Sequence, residues 1–388
     1  MGEPFWYSSA MVIIFTFLVK LSISKITQKH KKNLPPSPPS LPIIGHIHLL
    51  KQPMHRTLQD LSQNLGKILR CGSRKVLLVS SALAAEECLT KHDIIFANRP
   101  RFLARKQFHY NYTTVSLAPY GDLWRNLRRI MTLEIFSSSR LALFSIVRQG
   151  EVGLLLDEIM KSCTSRVELK SKFADLSFNV MTMMVVGKRC HGENVADVEE
   201  AKNFHNVFKA FVDLSGAGTA ADFLPILRWV DISGLEKKMV RLMAKMDKFL
   251  QGLVDGRHEI LSASNGEHVK KLMIDNLLSM QAKEPELYTD IIIKGIILVL
   301  LVAGTDTTST NLEGAMVLFL NHPEAMEKVR AFLASNLGLP FRDLFRISYG
   351  FLVMPIYYYD LLNIYMLRYY RNALLFSVVY IMWVSVEY

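Results

Sequence analysis

The sequence predicts a mainly α-helical domain with a small β-sheet, preceded by one membrane-spanning helix. Three observations predict it. Apolar residues recur at a spacing near 3.6 through most of positions 82–281. One pair of short strand-like runs lies near residue 70. An uncharged apolar run, Phe5 to Val19, opens the chain and continues more weakly to Ile26.

A helix needs about 20 residues to cross a bilayer, and residues 1–26 supply them. Lys20 and Lys25 sit at the far end of the run, where long side chains reach the headgroups. Lys25, Lys29, Lys31 and Lys32 follow it, and Glu3 precedes it. The positive-inside rule then places everything downstream in the cytosol. A cleaved leader carries its positive charge first, so residues 1–26 read as an uncleaved anchor. Residues 27–45 are basic and proline-rich, with Pro35, Pro36, Pro38, Pro39 and Pro42. Prolines fix φ and stiffen an extended segment. A flexible linker or a peptide ligand has the same composition. The Ile43-Ile44-Gly45 ending, which runs straight into folded-looking sequence, favours a stiff hinge.

Lys67–Leu69 and Val76–Val79 flank Gly72-Ser73-Arg74 and predict a short hairpin. Helices are predicted over 82–92, 122–135, 141–162, 173–187, 199–213, 235–261 and 271–281. The 122–135 helix starts at Gly121-Asp122 and carries Trp124 and Arg128 on one face. An indole N–H and a guanidinium so placed can grip a carboxylate; a half-buried Trp beside a snorkelling Arg has the same spacing. In 235–261, Met239, Met243, Met246, Leu250 and Leu253 form a stripe that reads as core. Lys237, Lys238, Arg241, Lys245 and Lys248 form a solvated or membrane-facing side. The apolar run Ile291–Val302 leads into Ala303-Gly304-Thr305-Asp306-Thr307-Thr308. Asp and Thr compete for backbone hydrogen bonds, so this group reads either as a helix end or as a site within a longer helix. Gly304, without a side chain, would let a flat ligand lie against the backbone.

The chain has 388 residues, half of them hydrophobic, and a net charge of +11. The basic residues are scattered and suit an anionic membrane face or an acidic redox partner. No aromatic-interleaved basic patch points to nucleic acid. Cys71, Cys88, Cys163 and Cys190 form no CxxC pair, so neither a zinc site nor a disulfide framework is signalled. A reducing compartment fits this cysteine usage.

Taken in order, the anchor, the hinge Pro35-Pro36-Ser37-Pro38-Pro39, Phe96-Ala97-Asn98-Arg99-Pro100, Trp124-Arg125-Asn126-Leu127-Arg128 and Ala303–Thr308 resemble a plant microsomal cytochrome P-450, a haem-thiolate monooxygenase. The likeness covers residues 1 to about 330. The texture of Asp222–Trp229 and Tyr288–Gly295 resembles the branch that hydroxylates isoflavones and related phenylpropanoids. The resemblance implies that Trp124 and Arg128 bind haem propionates. It implies that Ala303 and Gly304 lie over the haem, that Thr307 hydrogen-bonds oxygen bound there, and that Asp306 relays protons. Residues 98–120 would line the substrate pocket. Electrons would come from an NADPH-dependent flavoprotein reductase at the endoplasmic reticulum membrane, and the substrate would be a small apolar or phenolic molecule.

In that family the thiolate ligand lies in a C-terminal loop, Phe-x-x-Gly-x-Arg-x-Cys-x-Gly. In this sequence the last cysteine is Cys190. A Glu-x-x-Arg match at Glu327–Arg330 follows the central run directly, where the family has no such element, and reads as chance. Residues 331–388 hold nine of the fourteen tyrosines and no Lys, His, Thr, Gln or Cys. That bias is what translated AT-rich non-coding sequence gives. The expected organisation is an anchor (1–26), a hinge (27–45), a partial catalytic domain (46–330) and an atypical tail (331–388). Two alternatives stand beside a haem monooxygenase lacking its thiolate loop. One is a non-enzymatic decoy or inert product. The other is a protein with further membrane segments in the tail, where Ala373–Val386 is apolar.

Overall fold

Every helix predicted between residues 82 and 281 has a counterpart within a few residues of its expected place. The computed structural model describes residues 34–337 apart from 42–44, 50, 52–53, 72–75, 163–165, 193–194, 196–197, 217–221, 223–233 and 264–270. Outside that span it describes only 11–12, 15–16 and 380–383. The expected anchor and tail therefore lie almost wholly outside the described residues. The chain divides into two units, one of Met1–Pro100, Ala220–Trp229 and Leu374–Tyr388, the other of Arg101–Thr219 and Val230–Ala373.

The first unit is built around the expected hairpin. β1 (Ile68–Cys71) pairs antiparallel with β2 (Val76–Val79), Ile68 opposite Val79. A third strand, β3 (Tyr380–Trp383), lies antiparallel on the other edge of β2. Side chains alternate across a pleated strand. Leu78 and its partner Leu69 therefore pack on Leu58 of α1 (Met54–Leu65), while Val79 packs on Ala85 of α2 (Ala82–Thr90). The short helix α3 (Asp93–Phe96) follows. The proline segment is fastened rather than loose. Arg70 donates its backbone N–H to the Pro36 carbonyl at 2.9 Å, and the buried His46 ring meets the Pro38 carbonyl at 2.8 Å.

The second unit is helical: α4 (Leu103–Phe108), α5 (Asp122–Ile130), α6 (Ser138–Leu143), α7 (Ser145–Lys161), α8 (Leu169–Val185), α9 (Val198–Ser215), α10 (Leu235–Ala263), α11 (Met273–Lys283), α12 (Asp290–Asn321) and α13 (Pro323–Leu337). Its centre is α12 against α8. α8 is enclosed over most of its second half and α12 over Ile293–Leu301. α12 is long and apolar enough to cross a membrane, yet 67% of its most apolar window is buried within the protein, as in a core helix. The methionine stripe of α10 is also core, with Met239, Met246 and Leu250 fully buried.

Three departures have physical causes. The expected 122–135 helix widens after Ile130 into a π-helical turn, Met131–Ile135, which keeps Ile130, Met131 and Ile135 all in the core. The expected 141–162 helix is interrupted at Phe144, whose side chain is buried in the core. α11 starts at Met273 because Asp275 accepts the Leu272 backbone N–H at 2.8 Å and a two-pronged bond from Arg257 on α10. Helix α4 is too short to show an apolar repeat, whereas α1 carries a clear one, Met54, Leu58, Leu61 and Leu65, although it was not among the expected helices.

Candidate functional site

Ala303–Thr308 lies in the middle of α12, and the helix runs on through it to Asn321. The helix-end reading is thereby overturned. The threonines do not leave the helix because their hydroxyls turn back onto it. Thr305 donates to the Leu301 carbonyl at 2.7 Å, Thr307 to Ala303 at 2.5 Å and Thr308 to Gly304 at 2.7 Å. Thr305 and Thr308 face the core. Ala303 is exposed and Thr307, one turn on, is half-buried, so this pair marks an open strip on an otherwise enclosed stretch. Asp306 beside them also reaches solvent. Burial of part of its surface, reinforced by the charge of Asp213 on α9, holds its carboxyl above the usual carboxylate range.

Gly304 also lies against α8. It is buried, and a Cβ built on it would stand 2.5 Å from the Met181 sulfur and 2.7 Å from the Met181 methyl. Its missing side chain lets α8 approach α12; a ligand against the backbone at Gly304 itself would meet Met181. Ala303 and Thr307 carry the accessible strip instead.

Trp124 and Arg128 do share a face of α5, with the guanidinium carbon 4.9 Å from the indole centre. Tyr120 lies 5.4 Å from the Trp124 ring, and Arg125 stands 5.5 Å over Tyr120 while pairing with Asp122. Trp124 packs on the same core that contains Leu298, Leu300 and Leu301 of α12. Ala303, Gly304, Asp306 and Thr307 are thus gathered on one helix, and Trp124 and Arg128 on another that borders the same core.

The segment between α4 and α5 holds residues that sequence reasoning missed. Tyr110, Asn111 and Tyr112 have φ of 47°, 56° and 65°. Left-handed backbone is disfavoured for bulky residues, on the order of 1–3 kcal/mol each. Tyr110 donates its hydroxyl to Asp247 on α10 at 2.8 Å, and Lys294 of α12 meets the same carboxylate oxygen at 2.6 Å. Burial, then the bond to Asp247, pushes the Tyr110 phenol far up. His109, also enclosed, bonds Thr114 at 3.1 Å, and burial, with Arg105 nearby, lowers it to about 4. The one available signal was Lys294, the sole charge within Ile291–Val302.

Residues 35–338 match the family described as Cytochrome P-450. Cytochrome P-450 81E8 of Medicago truncatula is 46% identical over 340 residues, covering 86% of this chain and 67% of the relative. Cytochrome P-450 81Q32 of Catharanthus roseus is 48% identical over 340 residues, covering 85% and 66%. An isoflavone 3'-hydroxylase of Medicago truncatula is 44% identical over 343 residues, covering 86% and 68%. The chain thus spans about two thirds of the length of these relatives. A zebra fish cytochrome P-450 structure with progesterone shares the fold, with a TM-score of 0.59 at 20% identity over 74% of this chain and 64% of that one. By its matched span and its relatives, the chain belongs to the cytochrome P-450 family.

Proposed function

We propose that the chain carries the oxygen-side half of a haem-dependent monooxygenase that hydroxylates a small plant phenolic of isoflavonoid or phenylpropanoid type. The open strip of Ala303 and Thr307 at the centre of α12 carries this reading. A flat macrocycle needs a small residue facing it, and Ala303 offers only a methyl. Trp124 and Arg128 fit the carboxylates of such a group, because an arginine already oriented over an indole loses little freedom on binding. When bound, the haem iron supplies oxygen activation. Thr307 would present its hydroxyl beside that site, and Asp306, held toward its protonated form, would pass protons to it. Gly304 serves by bringing α8 up behind the strip.

The iron's thiolate ligand does not fit the described residues. The family's ligand lies in a Phe-x-x-Gly-x-Arg-x-Cys-x-Gly loop after the central helix, and Cys71, Cys88 and Cys190 all precede that helix and lie in no such loop. The 388 residues alone are therefore proposed to be inactive in oxygen insertion, and a non-enzymatic membrane protein is the alternative. Electrons would come from an NADPH-dependent flavoprotein reductase at the endoplasmic reticulum, with the catalytic part in the cytosol.

Haem titration into the purified chain tests both halves of the proposal. Saturable binding is expected, weakened on the order of ten-fold by Arg128→Ala, with no thiolate-type Soret band after reduction and carbon monoxide. Binding indifferent to Arg128 would remove the assigned pocket. A thiolate-type band would overturn the proposed inactivity.

A further inference from the structure

A buried ammonium at the start of the central helix has no part in the chemistry above. Lys294 is 6% exposed among Ile293, Ile296 and Ile297. A charge so enclosed needs a partner, and Asp247 on α10 supplies it at 2.6 Å. The same Asp247 oxygen accepts the Tyr110 hydroxyl at 2.8 Å, and the ammonium lies 5.7 Å from the Tyr110 ring centre. One carboxylate oxygen therefore joins α12, α10 and the Arg101–Tyr120 segment.

The next residue is shaped for the same neighbour. A Cβ on Gly295 would stand 3.2 Å from the Thr114 methyl and 3.8 Å from the Tyr110 ring. The segment thus rests directly on the α12 backbone. Within the segment, Tyr110 to Tyr112 hold a left-handed turn. Thr113 donating to the Tyr110 carbonyl and Asn111 N–H donating to Lys106 give that turn its shape. Those bonds are internal and do not place the turn on the helices. Tyr110 does, with a weaker contact from Gln107 to Glu236 at 3.4 Å. Beside the clamp is a cavity of about 360 Å³ lined by Gln107, Tyr110, Met243, Asp247, Ile291 and Lys294.

We propose that Lys294, acting through Asp247 and Tyr110, is a positioning residue that sets the Arg101–Tyr120 segment against α10 and α12. Taking that segment as part of the substrate wall rests on the proposed function; the clamp itself does not. Lys294 lies thirteen residues before Thr307, about 20 Å along the helix. Its effect is on the fit of the wall and not on proton handling.

Hydrogen exchange by residue segment, read beside thermal melting of the whole chain, tests the clamp. Tyr110→Phe removes only the hydroxyl. Amides of 103–118 should then exchange on the order of ten-fold faster, with α8 little changed and the melting temperature only slightly lower. Lys294→Met alone leaves the partly exposed Asp247 carboxylate without its cation and should speed the same amides, whereas Asp247→Leu alone strands the enclosed ammonium and should also lower the melting temperature. Asp247→Leu with Lys294→Met removes the pair without a stranded charge. The melting temperature should recover while the segment stays fast, because Tyr110 still lacks its acceptor. Slow exchange in that double variant would reduce the ion pair to filler, and unchanged exchange in Tyr110→Phe would equally end the proposal. Haem titration is read separately, so the clamp and the haem pocket can fail one without the other.

Discussion

His109 shows how one enclosed side chain sets a pH limit. Its folded value of about 4 lies below the ordinary 6.5, mainly through burial. As pH falls through 6.5 the unfolded chain takes up this proton first, so stability is complete above that value and declines toward pH 4. The decline attributable to His109 is on the order of 2–3 kcal/mol. His109→Gln, which keeps a polar partner for Thr114, should make denaturant midpoints measured from pH 7 to 4 less steep. An unchanged slope would show that His191 and His205, also lowered by burial, account for the acid limb. None of this was legible in the sequence, where His109 is one histidine of eleven. Its surroundings come from a loop whose φ values no local residue pattern specifies.

Among the elements, α12 and α8 form the tightest dependence. Gly304→Ala pushes a methyl into Met181, and should cost about 1–3 kcal/mol. In a Met181→Ala background the same change should cost far less, which a double-mutant cycle of melting free energies measures. Additive costs would show that Gly304 is required for another reason. The sequence made the helices themselves readable, because apolar spacing near 3.6 over ten or more residues is a strong signal. It made Ala303, Asp306 and Thr307 readable as a group, and Trp124 with Arg128 as one face. It did not make readable which side of α12 each residue takes, since a helix apolar all round has no preferred face. The contact of Gly304 with Met181 of α8 was therefore not foreseen. The Tyr110–Asp247 bond joins residues 137 apart, a separation at which sequence pattern carries no information.

At the scale of the whole molecule, the end of α12 differs from its centre. Val317, Leu318 and Leu320 are 49%, 60% and 64% exposed, next to Val329 of α13 at 41%. Large apolar side chains exposed in this number favour association. The purified chain should sediment as oligomers without detergent, and Leu318→Glu with Leu320→Glu should shift it toward monomer. Monomers in the unaltered chain would show that this surface is covered in solution. The fastening of the proline segment to the first unit has a mechanical consequence. The prolines of Leu34 to Ser40 cannot rotate about φ, and both Pro36 and Pro38 are bonded to residues of the sheet unit, Arg70 and His46. A pull on Leu34 to Ser40 is therefore shared between the chain itself and the Arg70 N–H, and loads β1 through that bond.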